Sequence, residues 1–153
     1  MNKYEQLNLN KQLCFRLYTA SRLTMQAYHP YLDPLGITYP QYLVLLVLWE
    51  WDKQPVCDIA KLLVLDTNTV TPLLQRMEKS GLLVRTKGDV DSRQRIVSLT
   101  PKGLALRDKA VSIPECLGAE IVESLGSADE QMAMIPMLDK LIVGLKKSNN
   151  RRQ

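Results

Sequence analysis

The chain has 153 residues, with 46% hydrophobic and 24% charged, which suits one globular domain and excludes disordered or collagen-like classes. No apolar run approaches the ~18–20 residues that cross a bilayer, the start MNKYEQLNLNKQ lacks a signal-peptide core, and three cysteines with one histidine fit a reducing cytoplasm with no disulfide framework, metal or cofactor. The net charge of +4 sits in residues 61–110, with ten bases against five acids, and in the tail KKSNNRRQ, a distribution that suits a polyanion such as nucleic acid.

Leu13, Leu17, Ala20 and Thr24, with Cys14, Tyr18, Ser21, Met25 and Tyr28, recur at helical spacing, so residues 7–29 read as one long helix ended by Pro30. Asp33-Pro34-Leu35-Gly36 is a turn cluster. A second helix starts near Pro40 and runs through YLVLLVLWEW, apolar all round and so buried, with Trp49 and Trp51 as packing residues. Residues 56–64 form a short third helix with Ile59, Leu62 and Leu63 inward. The fourth is DTNTVTPLLQRMEKSGL, with Val70, Leu73, Leu74 and Met77 inward and Gly81 past its end. Its start has two readings. With Asp66 as cap, Pro72 falls beyond the first turn and kinks the helix; with Thr69 as cap, Pro72 is tolerated. Two alternating runs, 82–87 and 95–100, flank the charged loop GDVDSRQ as a hairpin. A helix then covers 101–123 with a kink at Pro114, and a last one covers 128–146 after Gly126-Ser127.

Helix, turn, helix and a two-stranded ribbon with a charged loop make a winged helix-turn-helix. The fold is mainly α with a small β-ribbon. A helix that reads the major groove needs short hydrogen-bonding groups near its N-terminus and a cation further along. Asn68, Thr69, Thr71, Gln75 and Arg76 meet that need. The loop offers Arg93 to the minor groove, with Asp91 two residues earlier to fix its geometry. The competing reading is a polar helix and solvated hairpin that bind only protein.

The segments LNKQLCFRLYTASR (9–22), LGITYPQYLVLLVLWE (35–50), LDTNTVTPLLQRMEKSGLLVR (65–85) and DVDSRQRIVSLTPKG (89–103) resemble the MarR family of transcriptional repressors, in its organic-hydroperoxide-sensing branch. The resemblance spans nearly the whole chain. It implies a homodimer on a palindromic double-stranded DNA operator. Residues 40–100 would form the winged reader, and 1–32 with 101–147 an all-helical dimerisation part of one MarR-like domain. It also implies that Cys14 senses organic hydroperoxide and that Tyr28 and Tyr39 are its phenol donors.

On the residues alone, Cys14 also fits a small core residue. It reads as mid-helix, away from the helix dipole. Tyr18 lies one turn away, whereas Tyr28 is ~21 Å along the axis and can approach only across a dimer. The resemblance also offers Cys116 as the partner that resolves oxidised Cys14; the competing reading is a packing residue, with a small thiol capping Cys14 instead. Cys57 beside Asp58 reads as incidental and His29 as a surface residue. Two other functions compete. One is a repressor that binds a small aromatic or lipophilic ligand. The other is a thiol peroxidase, which the absence of a βαβ pattern around Cys14 disfavours; no enzymatic activity is expected.

Overall fold

The structure, a computed structural model, describes residues 2–153. Two compact units divide at residues 111 and 112. The first holds α1 (Leu13–Leu32), α2 (Tyr39–Glu50), β1 (Gln54–Pro55), α3 (Val56–Leu63), α4 (Thr67–Lys79), β2 (Leu83–Lys87), β3 (Arg95–Leu99) and α5 (Pro101–Ala110). The second holds α6 (Ile113–Leu125) and α7 (Ala128–Asn150), packed on each other.

The helix expected at 7–29 starts later and ends later. Short 3₁₀ turns at Glu5–Leu7 and Leu9–Lys11 precede α1. The Gln12 amide donates to the Gln6 and Asn8 carbonyls, and Arg16 donates to the Gln12 carbonyl, so the arm folds on its own bonds. Pro30 does not end α1. Proline forfeits one helical bond, and the Asp33 N–H still reaches the His29 carbonyl across it.

Thr38 caps α2 with a capping box, its hydroxyl accepting from the Gln41 N–H while the Gln41 side chain accepts from the Thr38 N–H. The helix buries Tyr42, Val44, Leu45 and Leu48 but leaves Leu46 exposed, and Trp51 lies outside the core at 64% exposure. In α3, Ile59 is buried but Leu62 faces out. The turn into α4 uses Val64 in the left-handed region at φ 55°. The inward stripe of α4 is buried as expected.

The expected ribbon is a three-stranded antiparallel sheet in the order β1-β3-β2. Leu83 faces Leu99, and Lys87 faces Arg95 at the open end. The two-residue β1 is too short to leave a periodic signal, and its Pro55 sits at a sheet edge, where a missing N–H costs nothing. The Asp52 carboxylate accepts from the Leu99 N–H at 2.9 Å and closes that edge.

The helix expected at 101–123 is two helices. Thr100 caps α5 by accepting from the Gly103 N–H. Pro114 stands in the first turn of α6, where its missing N–H is not needed, so it starts a helix rather than bending one. Ser127 caps α7, which contains Pro136 and runs four residues beyond the expected end.

Candidate DNA-reading and redox-sensing sites

The cap of α4 lies at Asp66, not Thr69. Its backbone carbonyl accepts from the Thr69 and Val70 N–H groups, and its side chain makes no cap bond. Pro72 is therefore the sixth residue of the helix and points outward. It has no N–H to give the Asn68 carbonyl, which leaves that acceptor on the outer face. Asn68, Thr69, Gln75 and Arg76 are exposed and Thr71 half-buried, on the side opposite Val70, Leu73, Leu74 and Met77. All five polar residues thus share one outward face.

The loop between β2 and β3 closes through two backbone bonds, Gly88 N–H to Gln94 and Gln94 N–H to Asp91. A side chain at Gly88 would place Cβ 2.7 Å from the Asp91 carbonyl, so the close approach requires glycine. The Asp91 carboxylate accepts from the Arg93 N–H at 2.9 Å and lies 3.7 Å from its Nε. Arg93 is held at the tip with its guanidinium open to solvent.

Sequence reasoning missed the clamp that fixes β2 to α4. Glu78 accepts the Arg85 backbone N–H at 2.9 Å, its Nε at 3.1 Å and a terminal guanidinium nitrogen at 2.9 Å. The backbone bond, then the guanidinium bonds, hold the Glu78 carboxyl below the usual range. A pair seven residues apart across a turn matches no helical or strand period, so no pattern announces it.

Tyr28 from α1 and Tyr39 from α2 come together with ring centroids 4.6 Å apart. Burial pushes the Tyr28 phenol up to about 12, and Tyr39 adds to the effect through charge and a hydrogen bond. It therefore stays a protonated donor. Tyr42 was also missed: its centroid lies 5.9 Å from Tyr28 and 6.2 Å from Tyr39. The signal was present, since Tyr42 follows Tyr39 by one turn in YPQY, but the apolar run hid it. Burial raises the Tyr42 phenol as well. The pair opens on a cavity of about 310 Å³, walled by Met25, Leu32, Ile37 and Pro40, with His29 and Asp33 also lining it. His29 is exposed, and its Nδ1 lies 3.2 Å from Asp33.

Cys14 is exposed, as is Tyr18. The late start of α1 corrects one expectation: Cys14 is the second residue of the helix, at the positive end of its dipole rather than mid-helix. Cys116 is exposed near the start of α6. The Cys57 thiol donates to Asp58 at 3.6 Å. No cysteine is bonded to another. Among the described residues, no cluster of three or more potential ligands could hold a metal, and no helix is long and apolar enough to cross a membrane.

The MarR family pattern matches residues 37–94, from just before α2 into the wing loop. The organic hydroperoxide resistance transcriptional regulator of Bacillus subtilis (strain 168) is 48% identical over 113 residues, covering 74% of this chain and 77% of that protein. Reduced AbfR bound to DNA superposes with a TM-score of 0.77 at 40% identity, over 95% of this chain and 99% of that one. Disulfide-formed AbfR, a protein of Staphylococcus epidermidis, gives a TM-score of 0.61 at 41% identity, over 86% and 96% of the two chains. With the helix-turn-helix, the wing and near full-length likeness in place, the chain belongs to the MarR family.

Proposed function

We propose that the protein is a dimeric transcriptional repressor that leaves its DNA operator when organic hydroperoxide oxidises Cys14. The observation that carries this reading is the closed pair of phenols, Tyr28 on Tyr39, beside an apolar cavity. Tyr28 stays protonated beside a second phenol in a half-buried site, phenol O–H groups donate to an anion, and a thiolate supplies one.

The dimer forms through residues 1–32 and 101–147, and residues 40–100 read DNA. Leu13, Phe15 and Leu23 on α1, and Met137, Ile142 and Leu145 on α7, are large exposed apolar side chains that a second copy would cover. Asn68, Thr69, Thr71, Gln75 and Arg76 enter the major groove. Arg93, braced by Asp91, enters the minor groove.

In the sensing step the Cys14 thiolate attacks the terminal oxygen of the hydroperoxide. The O–O bond breaks, an S–OH group forms, and the departing alkoxide takes a proton to leave as alcohol. Tyr28 and Tyr39 of one subunit donate to the Cys14 sulfur of the other, with Tyr18 beside it on its own helix. Cys116 resolves the sulfenic acid across the dimer: its thiolate attacks sulfur, the S–O bond breaks, a disulfide forms, and the departing hydroxide takes a proton to leave as water. The added oxygen enters a packed interface, which responds by switching between discrete arrangements and re-spaces the two reading heads. The protein consumes oxidant once per cysteine and is not an enzyme, and it acts in the cytoplasm.

The cavity favours a second reading, in which a small lipophilic ligand fills it and Cys14 is inert. Trapping the Cys14 sulfenic acid with a dimedone probe, as cumene hydroperoxide is added, separates the two. We expect rapid labelling of Cys14, slowed at least about tenfold in Tyr28→Phe and in Tyr39→Phe, each of which removes one donor worth about 1.5 kcal/mol. Unlabelled Cys14, or wild-type rates in both variants, would overturn the reading.

A further inference from the structure

Tyr42 and Trp49 take no part in the sensing chemistry or in reading DNA, yet they occupy the space between the two. Tyr42 is almost wholly buried. One side of its ring meets the phenol pair, at 5.9 Å from Tyr28 and 6.2 Å from Tyr39. It also meets Trp49, edge to face at 6.2 Å, two helical turns further along α2. The Trp49 indole N–H in turn donates to the Gly103 carbonyl at 3.0 Å, a bond that joins α2 to the first turn of α5.

Gly103 is the point where α5 rests on the DNA-reading half. A Cβ there would lie 2.0 Å from the Leu82 carbonyl oxygen, so backbone meets backbone with no side chain between. The Leu82 carbonyl accepts from the Thr100 N–H at 3.2 Å, and the Leu82 N–H donates to Met77 at 3.0 Å. Leu82 thus follows the end of α4 and leads directly into β2. Each contact in this series is directional or without slack. Edge-to-face rings lose their attraction when they rotate, and an indole N–H has one bond to give.

We propose that Tyr42 and Trp49 are positioning residues that couple the Tyr28–Tyr39 pair to the Gly103–Leu82 junction, so that a rearrangement of the phenols shifts the recognition helix and wing. The proposal rests on the redox reading given above. Oxidation of Cys14 changes the phenols' partner from an anion to a bulkier neutral group. Tyr42 packs on both phenols and follows them, and Trp49 carries that movement to the carbonyl it holds. Coupling of this kind is the ratio of operator affinities in the two redox states.

The test is the operator Kd of the full-length protein, measured by fluorescence anisotropy before and after cumene hydroperoxide, with Cys14 oxidation followed by mass spectrometry in the same samples. Trp49→Phe keeps a ring against Tyr42 and removes only the N–H. It should bind DNA in the reduced state within about threefold of wild type and oxidise fully, while the ratio of the two affinities falls about tenfold. Tyr42→Leu should lose the ratio in the same way, and Tyr42→Phe, which keeps the ring, should retain it. The double variant Tyr42→Leu/Trp49→Phe should be no worse than either single one, because elements in series fail together. A wild-type ratio in Trp49→Phe, or losses that add in the double variant, would overturn the coupling while leaving the redox reading intact. A wild-type protein that keeps its affinity with Cys14 fully oxidised would overturn the redox reading, and the coupling with it.

Discussion

Replacing Glu78 by glutamine tests how the recognition helix is held to the wing. The carboxylate accepts the Arg85 N–H and two guanidinium bonds. Glutamine keeps one carbonyl oxygen, so the backbone bond survives and the charge-assisted pair is lost. Bonds to a charged group contribute about 1.5–3 kcal/mol each when sheltered. Here the side chains are 35% and 21% exposed for Glu78 and Arg85, so water screens them, and about 1–2 kcal/mol for the whole change is the better figure. For a chain of this size that lowers the melting temperature by about 3–6 °C. The pH dependence has a fixed sign. Folding holds the Glu78 carboxyl below its ordinary value of 4.5, so the folded state favours the ionised form and the stabilisation is complete above that value. It fades as pH falls through the lower, folded value. Thermal melts of both proteins from neutral to acidic pH should therefore show a gap that is constant above 4.5 and closes below it. A gap of the same size at all pH values, or no gap near neutrality, would refute the clamp.

Other consequences follow from the same geometry. Gly103→Ala sets a methyl 2.0 Å from the Leu82 carbonyl, so a backbone shift is forced and unfolding in urea should show a loss of about 3 kcal/mol or more. Val64→Asn relieves a β-branched residue held at φ 55° and should raise the melting temperature by about 2–4 °C, from about 1 kcal/mol of strain. Gln75→Ala should weaken operator binding by about 1–3 kcal/mol and relax preference at one base pair, whereas Arg93→Ala should weaken it across operator variants that share the same minor groove; competition assays with operator variants distinguish them. After one equivalent of hydroperoxide, a covalent dimer on a non-reducing gel should be present in wild type and Cys57→Ser and absent in Cys14→Ser and Cys116→Ser.

The α4 face and the wing were legible because amphipathic period and turn chemistry are local. Val70, Leu73, Leu74 and Met77 had to point one way, and the polar set therefore the other. Local rules failed where a proline had two uses. Pro30 sits within a last turn that holds without its bond, and Pro114 opens a helix where a kink was expected. They failed again at the start of α1, where Gln12 and Arg16 stabilise a folded arm and so move Cys14 to a helix terminus. Contacts between distant residues were illegible in principle. Glu78 with Arg85, Trp49 with Gly103 and Asp52 with Leu99 obey no period, and only the folded chain brings them together. The pairing of Tyr28 and Tyr39 came from resemblance alone, because they stand eleven positions apart with a turn between them.

The most direct test of the central claim is a titration of operator DNA with wild-type protein and Cys14→Ser, each with and without stoichiometric cumene hydroperoxide, followed by a thiol reductant. Wild type should bind when reduced, release DNA on oxidation and rebind after reduction, while Cys14→Ser should bind throughout. Release of DNA by oxidised Cys14→Ser, or retention by oxidised wild type, would contradict the assignment of Cys14 as the sensor.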